Sequence, residues 1–194
     1  MAQRLYDTRS RSKRTLETLV DGEVGIYVCG ITPYSPSHIG HARQAIAFDI
    51  IVRWLRKSGL KVNHITNFTD IDDKIISIAN EENIDFLEVA NRNIDDYFEV
   101  MDLLNVNRAD SYPRVTETIP EIIDMIVKLI ENGNAYSSHD GVYFEINTAP
   151  EKYGQLTGQT LEMVREGAGG RGGGSRDEDG GQDRSDSRNW GLTQ

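Results

Sequence analysis

Tyr27-Val28-Cys29-Gly30-Ile31-Thr32-Pro33-Tyr34-Ser35-Pro36-Ser37-His38-Ile39-Gly40-His41 is the stretch from which the fold is read. It ends an apolar strand, crosses a proline-containing loop and opens a helix, and it gathers the only cysteine and two of the four histidines. A strand-to-helix turn is a natural seat for a phosphate-carrying ligand, because the first helical turn offers free N–H groups and the positive end of the helix dipole. His38 and His41 lie three apart at that helix start and can both face one anion, while Gly40 lets a nucleotide approach the backbone. Donors aimed at a phosphate that gains charge stabilise the transition state, each by on the order of 3 kcal/mol. A bare His-x-Gly-His pattern is shared by several kinds of nucleotidyltransferase.

Working outward, residues 24–30 read as a short strand. Residues 42–58 read as a helix with Ile46, Ile50 and Trp54 as its inward stripe, Ala47, Ile51 and Leu55 beside it, and Gly59 ending it. A second strand over residues 60–68 completes a β-α-β unit, whose ligand edge lies at the carboxyl ends of the strands. Residues 69–74 face the same edge and lead into a helix over residues 73–80, where Asp70 or Asp72 either caps the helix or serves the site. From Ile84 the residues Leu87, Ile94, Tyr97, Phe98, Met101 and Leu104 recur at helical spacing as a packing face. Thr118 and Glu121 read as a capping box opening a helix that ends at Gly133. Residues 135–146 then read as a hairpin turning at Asp140-Gly141, with His139 a solvated loop residue and His64 a packed or edge histidine.

The 194 residues suffice for one domain of ordinary size. A lone cysteine excludes a disulfide framework and leaves two readings, an apolar filler or a metal-binding thiolate. A net charge of -10 argues against broad electrostatic hold on nucleic acid, so any RNA contact is local and no DNA partner is expected. No run approaches the length of a membrane span and the start lacks a secretory core, which gives an expected cytoplasmic protein without a membrane partner. The Arg- and Ser-rich start over residues 4–14 contains Asp7 and reads as a basic surface hairpin rather than a transit peptide. Residues 167–194 hold nine of the eighteen glycines without apolar periodicity, and this tail is expected to be disordered.

A longer string is more specific: Tyr27-Val28-Cys29-Gly30-Ile31-Thr32, His38-Ile39-Gly40-His41-Ala42-Arg43, Phe48-Asp49, and Asn67-Phe68-Thr69-Asp70-Ile71-Asp72-Asp73-Lys74-Ile75-Ile76. Together these resemble the amino-terminal catalytic half of cysteinyl-tRNA synthetases, which are class I aminoacyl-tRNA synthetases. The resemblance continues through Gly133-Asn134-Ala135-Tyr136 and Tyr153-Gly154-Gln155-Leu156 to about residue 171. It implies an α/β fold: an incomplete Rossmann-type parallel sheet over residues 1–79, a mainly helical connective insertion over residues 80–171, and a tail over residues 172–194 unlike the family. That tail reads as a frameshift or truncation product.

The resemblance also implies a reaction. The cysteine carboxylate attacks the α-phosphorus of ATP, bound with Mg, pyrophosphate leaves, and the cysteinyl group passes to tRNA(Cys). By resemblance Ile31, Thr32, His38, Gly40 and His41 belong to the ATP site, with His38 and His41 as its catalytic pair. Cys29, Gly30 and Thr69 border the substrate cysteine, and Cys29 is one of four zinc ligands. Zinc there prefers a thiolate over a hydroxyl, which a pocket judging size separates only about a hundredfold. The other three ligands and the Lys-rich phosphate loop have no counterpart in these residues, so the chain alone is expected to be inactive. Two alternatives stand beside this reading: a related ATP-dependent cysteine ligase of thiol biosynthesis, and a non-catalytic module that binds nucleotide or a partner.

Overall fold

The computed structural model describes residues 3–158 and 187–189. The basic start folds as a hairpin, β1 (Arg4–Asp7) against β2 (Ser12–Thr15), with Tyr6 opposite Lys13 and Leu5 opposite Arg14. The Asp7 carboxylate accepts the Ser10 N–H at 3.0 Å and the Arg9 N–H at 3.3 Å and so closes the turn. The chain divides into two compact units, Glu17–Ile119 and a second made of Met1–Leu16 with Pro120–Gln194.

In the first unit β3 (Glu23–Ile31) and β4 (Lys61–Phe68) pair in parallel, joined by α1 (Ile39–Lys57) as a crossover. The α/β reading and the β-α-β unit are therefore observed, with two regular strands in the parallel sheet. Val24 and Val28 of β3 are buried with Val62, His64, Thr66 and Phe68 of β4, while Tyr27 and Cys29 are exposed. Strands buried on one face alternate in this way. The outer edge of β4 is covered by an irregular third chain: Thr66 donates to the Ser111 carbonyl at 3.1 Å and Phe68 to the Pro113 carbonyl at 2.9 Å.

The inward face of α1 differs from the expected stripe. Ala42, Asp49, Val52 and Leu55 are buried, whereas Ile50 and Trp54 are 61% and 60% exposed and Ile46 is also at the surface. The helix is apolar on two sides, so spacing alone could not choose between them. Asp49 tips the choice: its carboxylate accepts Arg53 Nε at 2.7 Å and the Asn107 N–H at 3.2 Å, which satisfies it inside the fold.

Two further helices follow, α2 (Asp73–Glu82) and α3 (Phe86–Leu103). Val89 and Ala90 of α3 pack with Ile75 and Ala79 of α2. Ile94, Tyr97 and Met101 join Ile31, Ala42 and Phe68 in a common core, where Phe68 meets Tyr97 edge-on and stacks on Tyr112. Through these contacts α3 shares one core with the β-α-β unit, inside the compact unit Glu17–Ile119.

In the second unit α4 (Ile119–Glu131) follows from residue 119, and β5 (Ala135–Ser138) and β6 (Gly141–Glu145) form the expected hairpin. The expected capping box is not formed, since the Thr118 hydroxyl donates backward to the Arg114 and Val115 carbonyls. Of the segment expected to be disordered, Ser187–Asn189 make a short strand, β7, antiparallel to β6. The outer edge of β6 offers the ladder groups that such a strand needs. The rest of that segment lies outside the described residues.

Candidate functional site

The carboxyl ends of β3 and β4 are shaped by one extra residue. The register runs evenly to Val28↔Thr66 and resumes at Ile31↔Phe68, so Cys29 and Gly30 stand opposite Asn67 alone. This is a β-bulge, and it reverses the alternation of the strand. Ile31 turns into the core at 6% exposure, although it is two residues from the exposed Cys29. Only glycine fits at position 30, because a Cβ there would lie 1.6 Å from the Asn67 carbonyl oxygen.

Asn67 ties the two strand ends together. Its Oδ1 accepts the Gly30 N–H at 2.9 Å and its Nδ2 donates to Thr69 Oγ1 at 3.4 Å. The Thr69 N–H donates to the Ile31 carbonyl at 3.0 Å, and Gln44 Nε2 on α1 donates to the Cys29 carbonyl at 2.9 Å. Cys29, Gly30 and Thr69 are thus brought to one edge, while Ile31 contributes its carbonyl rather than its buried side chain. Among the described residues no group of three or more His, Cys, Asp or Glu side chains is placed to hold a metal ion. A tetrahedral zinc centre needs more donors than one thiol, so the described residues do not fit it.

The helix start carries the two imidazoles. His38 is the N-cap of α1 with extended backbone, and its Nδ1 accepts the Gly40 N–H at 3.0 Å. The Nδ1 of His41 accepts the His38 N–H at 3.4 Å, which completes a reciprocal capping box, and the two rings stack 3.9 Å apart. A Cβ at Gly40 would come within 2.7 Å of His38 Cε1, so the ring needs this glycine to lie against the backbone. Burial, and next the charge of His38, push the His41 imidazole below its ordinary value of 6.5.

The neighbouring helix starts are different in charge. Asp72 caps α2 with Asp73 in its first turn, and Asp85 caps α3 with Glu88 in its first turn, whereas the first turn of α1 has no acid. A carboxylate at a helix start offsets the positive dipole end. The α1 terminus keeps that positive end available and adds two ring N–H groups.

The loop before α1 is held by residues that the sequence did not mark. Asn93, 4% exposed, donates to the Pro33 carbonyl at 3.1 Å, and one turn further along α3 the Asp96 carboxylate accepts the Ser37 N–H at 2.7 Å. Lys74 stands over the Tyr34 ring at 4.7 Å. The only sequence signal was a pair of polar residues three apart on a face otherwise apolar. Thr32 is half-buried in the same loop. Of the two aspartates left open, Asp72 caps α2 by accepting the Lys74 N–H. Asp70 is fully buried and accepts the Thr116 hydroxyl at 2.6 Å and N–H at 3.0 Å.

Comparison with known proteins points one way. A family model for the catalytic domain of class I (C) tRNA synthetases matches residues 15–191. The chain is 49% identical over 165 residues to a cysteine–tRNA ligase of Nitratidesulfovibrio vulgaris, covering 84% of this chain and 34% of the relative. It is 49% identical over 168 residues to a cysteine–tRNA ligase of Pyrococcus abyssi, covering 87% and 35%. The chain therefore spans about a third of the length of the curated relatives it matches. A solved structure of Mycobacterium tuberculosis methionyl-tRNA synthetase in complex with methionyl-adenylate shares the fold, with a TM-score of 0.54 at 23% identity over 63% of this chain and 25% of that one.

Proposed function

The chain belongs to the family of class I (C) tRNA synthetase catalytic domains, and from that premise we propose that it forms one wall of an adenylation site for cysteine. ATP and cysteine are the substrates of the first step and tRNA(Cys) the acceptor of the second, in a cytoplasmic cysteine–tRNA ligase. The observation that carries this reading is the start of α1, a helix terminus without acids and capped by a stacked imidazole pair.

The cysteine carboxylate attacks the α-phosphorus of ATP, the bond to the bridging oxygen breaks, and pyrophosphate leaves with the electron pair. Charge builds on the phosphate oxygens along this path. Donors fixed before the reaction stabilise that charge without reorganising. His38 and His41 serve as such donors, and Gly40 admits the His38 ring against the backbone so that the pair is held at the nucleotide's phosphates. Thr32 lines the nucleotide side, with Ile31 anchoring the start of the loop from the core, while Cys29, Gly30 and Thr69 border the amino acid. Magnesium, when bound with ATP, supplies further charge neutralisation.

Isothermal titration of the 194-residue chain with ATP tests the reading. Binding that falls at least tenfold in the His38→Ala/His41→Ala double variant, with the helical signal retained, is the expected result. Equal binding by a folded double variant would overturn it.

A further inference from the structure

The hairpin of β1 and β2 departs from the electrostatics of the rest of the chain. Residues 4–15 carry Arg4, Arg9, Arg11, Lys13 and Arg14 against one acid, Asp7, in a chain of net charge -10. All five cations are exposed. In the Glu17–Ile119 unit many cations meet a carboxylate: Arg53 with Asp49, Arg56 with Asp110, Lys61 with Glu23, Arg92 with Glu82, and Arg108 with Asp102. In the hairpin only Arg14 does, at 3.9 Å from Asp7. Arg4, Arg9, Arg11 and Lys13 have no carboxylate at ion-pair distance among the described residues.

Two of these guanidinium groups are nevertheless held in place, each by a neutral acceptor. Arg4 donates to the Lys13 carbonyl at 3.0 Å, and Arg9 donates to Gln155 Oε1 at 3.0 Å. The Arg11 guanidinium lies beside Gly158. Neutral acceptors fix the position of a cation and leave its charge uncompensated. Tyr6 stands opposite Lys13 and on the same face as Arg4, two residues along β1, and is 64% exposed.

Positioned, unneutralised cations around an exposed aromatic ring are what a nucleic-acid strand requires: charges for the phosphates and a flat surface for a base. We propose that the β1–β2 hairpin is a contact surface for RNA, with Arg4, Arg9, Arg11 and Lys13 on phosphodiesters and Tyr6 under a base. The choice of RNA among polyanions rests on the proposed tRNA-dependent function, whereas the charge and geometry stand without it.

Fluorescence anisotropy of a labelled tRNA(Cys) transcript, titrated with the 194-residue chain, measures the contact. Four phosphate contacts give a slope of about -2.8 in log affinity against log salt, or about a fiftyfold loss between roughly 50 and 200 mM. The variant Arg4→Gln/Arg9→Gln/Arg11→Gln/Lys13→Gln is expected to lose most of that slope, and Tyr6→Ala to weaken binding about tenfold at unchanged slope. A folded control that removes the same four charges elsewhere, Lys57→Gln/Lys61→Gln/Lys128→Gln/Lys152→Gln, tests net charge alone and is expected to retain most of the slope. Equal losses in the hairpin and control variants, no transcript binding, or binding to anionic phosphatidylglycerol vesicles in place of the transcript would each overturn the proposal. Hairpin-dependent RNA binding without ATP binding would instead retire the adenylation reading and leave the RNA surface standing. ATP binding with transcript binding indifferent to the hairpin would do the reverse.

Discussion

An imidazole whose Nδ1 accepts a backbone N–H can carry its one proton only on Nε2. Both rings at the start of α1 meet that condition, so the cap itself sets their tautomer and leaves two Nε2–H donors for a ligand. Replacement at position 38 separates the two roles. His38→Asn keeps an acceptor close to the backbone and is expected to hold stability within about 0.5 kcal/mol while ATP affinity falls about tenfold, because asparagine caps well but is short. His38→Gln is expected to cost about 1 kcal/mol of stability and keep more of the ATP affinity, since its amide reaches the Nε2 position. Urea melts and ATP titrations of both variants measure this; ATP affinity that merely follows stability would contradict the division. Acid acts on His41 of this pair and on His64 of β4. The folded-state values of His41 and His64 are lowered, in both cases first by burial, with Asp110 partly opposing the shift at His64. The unfolded chain then binds protons first, so stability is complete above about 6.5 and declines as the pH falls through 6.5 and the lower folded values. The urea midpoint should drop between about pH 7.5 and pH 5; a midpoint that rises on acidification would show the shifts to have the opposite sign.

At the scale of elements, the joint between β3, β4 and the chain at residues 110–116 governs the geometry of the site. Gly30→Ala drives a methyl group into the Asn67 carbonyl and is expected to destabilise by about 3 kcal/mol or to prevent folding, as read from urea melts. Asp70→Ala leaves the Thr116 hydroxyl and N–H without their acceptor and is expected to cost about 2 to 3 kcal/mol by the same measurement. A cost under about 0.5 kcal/mol would show that water replaces the carboxylate without loss. The β-α-β unit was legible in the sequence because its signals are local: an apolar run, a glycine after the helix, and histidines in a cap position. The capping role of Asp72 was legible only as one of two options, since Asp70 stands two residues away with the same chemistry. The bulge was not legible, because its cause is the approach of two chain segments 37 residues apart. The third chain along β4 carries Pro113, which removes an N–H donor from the ladder and hides the segment from any alternation pattern. Asn93 and Asp96 were hidden in turn by the apolar residues around them.

Across the molecule, the outward stripe of α1 is the largest departure from expectation. Ile46 and Ile50 stand at the surface of a unit whose core is already filled by Ala42, Val52 and Leu55. Such a patch favours association in water. The double variant Ile46→Lys/Ile50→Glu is expected to lower light scattering of concentrated samples while changing unfolding stability by less than about 0.5 kcal/mol. Unchanged scattering would assign association to another surface. The missed phase has a physical cause: a helix with two apolar sides reports its period but not its orientation, which is settled by a buried carboxylate and its partners. The bulge at Cys29 and Gly30 has a consequence for how this protein can change over generations. By shifting the phase of the strand it places the exposed thiol two residues from the buried Ile31 without sharing a face with it. Position 29 can therefore change its side chain over generations with little penalty to folding, because that side chain lies outside the core that Ile31 helps to fill.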